Sequence, residues 1–187
     1  MKWIGKRTSF IDQKNKCTIV IYPDNVFWEK GLMSAWFCMW LVIGATMTWS
    51  FSLNLTRQET LIVVIFLAFW AYYATKVGRS LFWLLWGKEL IKIDKSGLTL
   101  KKSIKGFGKS NTYFLENIQK CDYSFPKENS FQAIFENSPW IQKAERIEFA
   151  YIGKSVRFGR KLNEKDCKLL LSLIVRRIEY FTKQINQ

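Results

Sequence analysis

A long stretch without charge is the sequence feature that most constrains the fold. Between Gly31 and Thr56 the chain carries no Lys, Arg, Asp or Glu. A helix rises about 1.5 Å per residue, so this stretch can cross a hydrocarbon core of about 30 Å. A second apolar run, residues 60–75, follows after the short connection 54–59. Paired runs of this length favour a transmembrane helical hairpin over buried globular helices. The first run is too long for a typical signal-peptide core, so we expect it to be retained.

The second apolar run has two interpretations, because a further apolar segment, residues 81–87, follows a polar break. One is a continuous helix that ends near Trp86, from which Lys76 and Arg79 extend to lipid phosphates. The other is a break at Gly78, followed by a short interfacial segment. We favour the continuous helix. In both cases the tryptophans of residues 81–87 suit the headgroup layer.

The distribution of Lys and Arg predicts the orientation. Both residue types are frequent before the first run and after the second, whereas the connection holds only Arg57. Cytoplasmic flanks of membrane spans carry the positive excess, so both termini are predicted to be cytoplasmic. Three segments follow: a cytoplasmic N-terminal segment with one short strand (1–30), a two-helix transmembrane hairpin (31–86) and a cytoplasmic domain (87–187).

The segments outside the hairpin predict a soluble α+β domain. Residues 17–23 are β-branched and aromatic and predict a strand, which could pair with the later domain. After residue 87 the apolar period becomes two, as expected for strands. The predicted strands are 88–94, 98–104, 110–115, 118–124, 146–152 and 155–159, and Gly153-Lys154 connects the last two as a tight hairpin.

An amphipathic helix is predicted to close this antiparallel sheet at the C-terminus. Asn163 is the expected N-cap, and Glu164 and Asp166 suit the positive end of the helix dipole. The apolar residues recur at three- and four-residue steps and form one face. That face comprises Cys167, Leu170, Leu171, Ile174, Ile178 and Phe181.

The sequence GFGKS, residues 106–110, matches the second half of a phosphate-binding loop. Such a loop needs a glycine where this chain has Ser103, and it must open a helix. The residues after Ser110 are β-like instead. We therefore predict a hairpin loop, in which glycine adopts positive φ without strain, and no nucleotide binding.

The chain is strongly basic, with 29 Lys and Arg against 15 Asp and Glu and a net charge of +14. No zinc-finger spacing or recognition-helix pattern accompanies this charge, so nucleic acid is not the expected partner. Anionic lipid of the inner leaflet attracts Lys and Arg near the membrane surface. The candidate residues for lipid or partner contact are Lys76, Arg79, Lys88, Lys101, Lys102, Lys105 and Lys109.

The residue types needed for catalysis are sparse. The chain has no His, which is the commonest general base and metal ligand. Its four Cys residues, at positions 17, 38, 121 and 167, stand singly and show no metal-binding spacing. We therefore expect free thiols, no cofactor, no metal and no enzymatic activity.

Several segments carry a resemblance to a group of small bacterial membrane proteins. These segments are WGKELIKID (86–94), LTLKK (98–102), GFGKS (106–110) and VRFG (156–159), which leads into the acid-started helix. The pattern resembles two-helix membrane proteins whose cytoplasmic part is a pleckstrin-homology-like (PH-like) domain. The resemblance implies a PH-like antiparallel sheet or barrel and a place in the bacterial inner membrane. It implies no specific activity, and the first sixteen residues lie outside it.

Two functions of different class follow from these patterns. The first is a non-enzymatic, membrane-anchored binding or scaffold protein that presents its soluble domain to lipid or to a protein partner. The second is an accessory or assembly subunit of a larger membrane complex, such as a transporter or a membrane enzyme, held through its helices. The second is motivated by Gly44 and Ala45 and by the many tryptophans of the spans, because small residues let helices approach closely. The alternative for Gly44 and Ala45 is that they pack the two helices of the hairpin against each other.

Overall fold

The computed structural model describes residues 1–23, 27–53, 55–126, 130–131 and 144–185. The chain divides into two compact units. One consists of Asn25–Leu85, which we call the helical unit. The other combines Met1–Asp24 with Trp86–Gln187, and we call it the β unit. The helical segment is thus an insertion between two parts of a single β-rich unit.

The helical segment contains two long helices, α1 (Phe27–Trp49) and α2 (Arg57–Trp86). A short 3₁₀ turn, Ser50–Ser52, follows α1. Both helices are long and apolar enough to cross a membrane. The prediction of a continuous second helix is confirmed, since α2 runs through Gly78 without a break.

A capping box begins α2. The hydroxyl of Thr56 accepts the Glu59 N–H at 3.4 Å, and the Glu59 carboxylate accepts the Thr56 N–H at 2.8 Å. These reciprocal bonds satisfy backbone donors that a helix start otherwise leaves unpaired.

The β unit contains two antiparallel sheets. The larger has six strands in chain order: β1 (Lys2–Ile4), β2 (Thr8–Asp12), β3 (Lys16–Ile21), β4 (Gly87–Asp94), β5 (Gly97–Ile104) and β6 (Ser110–Tyr113). The smaller comprises β7 (Ile118–Tyr123), β8 (Glu145–Tyr151) and β9 (Lys154–Arg160). Within the part of the chain that the structure describes, the sheets stay separate and form no closed barrel.

The N-terminal segment contributes half of the larger sheet. Strand β3 pairs with β4 from Lys16↔Asp94 to Ile21↔Glu89, so the predicted N-terminal strand does join the sheet formed by the later strands. The prediction of one strand in residues 1–30 was wrong, because β1 and β2 precede it. These two strands are short and lack a clear alternation of apolar and polar residues, so the sequence pattern did not predict them.

The C-terminal helix α3 (Glu164–Ile185) covers the sheets, as predicted. The Asn163 side chain accepts the Asp166 N–H at 2.7 Å and caps the helix. Four of the six predicted apolar residues are buried and two are half-buried against the core, while Leu173 is an additional buried residue. Their partners include Ile19, Ile91, Leu98, Ile147, Phe149 and Phe158.

The β8–β9 hairpin is confirmed, with its turn one residue earlier than expected. Tyr151 pairs with Lys154, so Ile152 and Gly153 form the two-residue turn. Both have positive φ, 46° and 72°, as a type I′ turn requires. The predicted connection Gly153-Lys154 is corrected accordingly.

Candidate binding surface on the β unit

The loop between β5 and β6 is a tight turn, as the sequence predicted. The Ile104 N–H donates to the Phe107 carbonyl at 2.8 Å, and the Phe107 N–H donates back to Ile104 at 3.0 Å. The two residues between them, Lys105 and Gly106, have φ of 50° and 91°. We call residues 105–109 the hairpin tip.

The second glycine of the hairpin tip is needed because the backbone is close. Gly108 has φ of 154°, and a Cβ atom at this position would lie 2.0 Å from the carbonyl oxygen of Lys102. Any larger residue would force these two backbone segments apart. The glycines of GFGKS therefore have a geometric role in the hairpin.

An exposed aromatic ring and a lysine characterise the hairpin tip. Phe107 is 84% exposed, and sequence analysis did not single it out. The Lys105 ammonium lies 4.0 Å from the ring centroid of Trp86, and the Lys105 N–H donates to the Trp86 carbonyl at 3.4 Å. Trp86 is the last residue of α2. The hairpin tip thus packs on Trp86 within the β unit.

Two further candidate lysines share one face of the larger sheet. In the β4–β5 register Lys88 is opposite Ser103 and Leu90 is opposite Lys101. Since residues two apart share a face, Lys88 and Lys101 lie on the same side of the sheet. Lys88 is exposed, with its ammonium 5.2 Å from the Tyr22 ring centroid, and Lys101 is half-buried. Lys109 is exposed in the hairpin tip.

Lys102 points to the other face and has a structural partner. It is opposite Glu89 in the register and forms a salt bridge with Glu145. Its ammonium also donates to the Arg157 carbonyl at 3.4 Å. Because Glu145 and Arg157 belong to the smaller sheet, Lys102 connects the two sheets, apart from the other candidate lysines.

The remaining candidates, Lys76 and Arg79, lie on α2 in the helical unit, and both are exposed. The Lys76 ammonium lies 5.4 Å from the Tyr72 ring centroid. Arg79 lines a groove on the surface of the helical unit. The seven candidates therefore fall into three groups: the β-sheet face with the hairpin tip, the bridging Lys102, and the α2 pair.

A buried carboxylate is the polar feature that sequence analysis missed. Glu89 is 4% exposed. Its two oxygens accept the N–H groups of Gly159, at 2.7 Å, and Arg160, at 3.2 Å. Burial raises the pKa of the Glu89 carboxyl, and the Gly159 N–H and the Lys102 charge oppose that effect. The sequence does indicate this buried position. Glu89 lies two residues before Ile91 in β4, and alternate residues of a strand share a face.

Arg7 has a related structural role. Its guanidinium donates to the carbonyls of Tyr22 at 3.1 Å, Lys161 at 2.6 Å and Arg160 at 3.2 Å. It thus joins the end of β3 to the end of β9, whereas the sequence suggested only a membrane-flanking charge.

The thiols of the β unit are poor nucleophiles. Burial raises the pKa of Cys17 to about 11 and that of Cys167 to about 12. Among the described residues, no group of three or more Cys, Asp or Glu side chains is placed to hold a metal ion.

Comparison of the chain with protein-family models, with curated proteins and with solved structures found no match.

Proposed function

We propose that this protein is a non-enzymatic, membrane-anchored binding or scaffold protein. It holds the β unit, as a PH-like domain, at the cytoplasmic face of the bacterial inner membrane. The observation that carries the proposal is the pairing of β3 with β4. These strands precede α1 and follow α2, so one sheet contains chain from both ends of the helical segment.

This pairing constrains the topology of the chain. If α1 crosses a membrane, α2 must cross back, because β3 and β4 cannot pair from opposite sides. Both termini then lie on one side, and the Lys and Arg excess outside the connection favours the cytoplasmic side. The β unit is then one domain, connected to the membrane through both ends of the helical unit.

The surface that supports a binding role is the hairpin tip together with Lys88 and Lys101. The lysines add attraction to an anionic leaflet of about 1 kcal/mol each when they lie near its surface. The exposed ring of Phe107 adds apolar area of the kind found at interaction sites. The Lys105 ammonium lies over the ring of Trp86, a tryptophan expected in the headgroup layer, and this supports a position of the hairpin tip near the membrane.

Contacts within the helical unit support this proposal over the accessory-subunit alternative. A Cβ atom at Gly44 would lie 2.2 Å from the Trp70 indole, so this glycine accommodates a ring of the same chain. The Trp70 indole N–H donates to the Trp40 carbonyl at 2.8 Å, and the Trp40 indole N–H donates back at 3.4 Å. Gly44, Trp40 and Trp70, whose residue types suggested an external helix partner, contact one another within the helical unit. Affinity purification in mild detergent separates the two proposals, since the alternative requires a stoichiometric membrane partner.

The topology is tested with reporters at both termini. We expect a fluorescent protein that folds only in the cytoplasm to be active at either end, and alkaline phosphatase to be inactive at both. Phosphatase activity at one end would contradict the β3–β4 pairing in the membrane-bound protein. Phosphatase activity at both ends would keep the pairing and reverse the orientation.

The binding surface is tested by hydrogen exchange in nanodiscs of neutral lipid and of neutral lipid mixed with anionic lipid. We expect residues 101–109 to be more protected in the anionic discs at low salt, and the difference to shrink as salt is added. Replacing Lys101 and Lys105 with Glu should remove the difference. The same change at Lys95 and Lys154, which lie in or beside other turns of the β unit, is the matched control. Equal protection in both lipids would refute the lipid version of the proposal.

A further inference from the structure

The helical unit contains an apolar groove of about 400 Å³ on its surface. Its lining includes Phe37, Trp70, Ala74, Gly78, Arg79 and Phe82. Four of these residues follow one another at four-residue steps on α2, so they form one row along the helix. The side chains are large at both ends of the row, Trp70 and Phe82, and small in its middle, Ala74 and Gly78, which creates the groove.

The floor of the groove comes from α1. A Cβ atom at Gly78 would lie 3.2 Å from the Phe37 ring, so Phe37 packs directly against the small centre of the row. The groove is therefore closed below by an aromatic ring and bounded along α2 by two others. A partner helix would need small residues over several turns to approach closely, and here the small residues Ala74 and Gly78 are followed by the exposed ring of Phe82.

The position of Arg79 along α2 indicates how deep in the membrane the groove lies. Arg57 begins the helix, and Arg79 follows 22 positions later, which corresponds to about 33 Å at 1.5 Å per residue. A hydrocarbon core is about 30 Å thick. Arg57 and Arg79 thus match the two boundaries of the hydrocarbon core, from which a long Arg side chain can reach the phosphates. The groove between Trp70 and Gly78 then lies within the hydrocarbon next to Arg79.

We propose that this groove binds one anionic phospholipid, with an acyl chain along the row and the phosphate on Arg79. The lining suits an acyl chain, and a guanidinium binds phosphate oxygens through paired hydrogen bonds. Basic groups between membrane helices on the cytoplasmic side are suited to anionic headgroups. The inference rests on the membrane placement in the proposed function and adds a lipid-binding site to it.

The test uses the full-length chain in nanodiscs that contain equal amounts of phosphatidylglycerol and phosphatidylcholine, with retained lipid identified by native mass spectrometry. We expect one retained phosphatidylglycerol, preferred over phosphatidylcholine. The Arg79→Gln variant should lower that preference about five-fold, which corresponds to about 1 kcal/mol for one basic residue. Ala74→Phe, which fills the groove, should reduce retention of both lipids.

Lys76→Gln is the matched control, because Lys76 has the same charge and nearly the same depth but does not line the groove. It should leave the preference unchanged. An equal loss in Lys76→Gln and Arg79→Gln would indicate general surface charge and overturn the inference. So would the absence of a preference in the unmodified chain, or normal retention in Ala74→Phe. A chain that does not enter nanodiscs at all would refute the membrane placement itself, together with this inference.

Discussion

The buried carboxylate of Glu89 provides the sharpest test of the fold. Replacing Glu89 with Ala leaves the N–H groups of Gly159 and Arg160 without their acceptor. An unpaired buried donor costs about 1–3 kcal/mol. The Gly159 N–H is buried and the Arg160 N–H is partly buried, so the second should cost less than the first. Together we expect a loss of about 2–4 kcal/mol in the free energy of unfolding. Gln keeps the shape and one acceptor oxygen, so Glu89→Gln should cost about half as much at acidic pH.

The dependence on pH separates the charge from the hydrogen bonds. Because burial raises the pKa of Glu89, the native state retains the proton over a range in which the unfolded chain has lost it. The contribution of Glu89 to the stability of the wild-type chain therefore falls as the pH rises above 4.5, the ordinary pKa, through the native pKa. Glu89→Gln lacks this contribution, so the stability difference between wild type and the Gln variant should shrink with rising pH.

Hydrogen exchange in increasing urea, measured on peptides from β4 and β5, gives the free energy of unfolding of the β unit separately from the helices. The full-length chain in mild detergent is measured between pH 4.5 and pH 8. A difference between wild type and Glu89→Gln that grows with pH would mean that the N–H bonds outweigh burial. A neutral effect of Glu89→Ala would refute the role of these bonds altogether.

Three further changes test other parts of the chain. Gly108→Ala should destabilise the β unit by about 1–3 kcal/mol, because the backbone conformation is strained for any other residue, and the same exchange assay measures it. Gly44→Ala should displace the Trp70 ring and lower the stability of the two-helix hairpin by about 1 kcal/mol. Unfolding in SDS measures this change, and we expect the midpoint to move to a lower SDS fraction. Cys17 and Cys167 should not react with a thiol reagent at pH 8 until the β unit unfolds; rapid labelling of the native chain would contradict their burial and raised pKa.

Features carried by local periodicity were predictable from the sequence. The two apolar helices, the strands after residue 87 and the face of α3 follow from repeats within a few residues, and the structure contains them all. The inward position of Glu89 could have been recognised in the same way. Its register with Ile91 and Ile93 is visible in the sequence.

Features that depend on distant residues were not predictable. Lys102 looked like one of several surface lysines, and only its salt bridge with Glu145, 43 residues away in the chain, assigns it to the space between the sheets. Strand β2 was missed because Thr8 and Ser9 are buried polar residues, so the burial pattern does not follow hydrophobicity. The hairpin-tip ring of Phe107 has no periodic signature, since it lies between two glycines in a turn.

The pairing of β3 with β4 also sets an order of events during synthesis. Ile21 leaves the ribosome before either helix, but its partner Glu89 is made only after both. Until then the first three strands have an unpaired edge, which in a free chain favours aggregation. If α1 and α2 span a membrane, as we propose, a chain that inserts only one of them leaves β3 and β4 on opposite sides and cannot complete the sheet. Completion of the domain would then depend on insertion of both helices, and a chain with one inserted helix should be degraded faster.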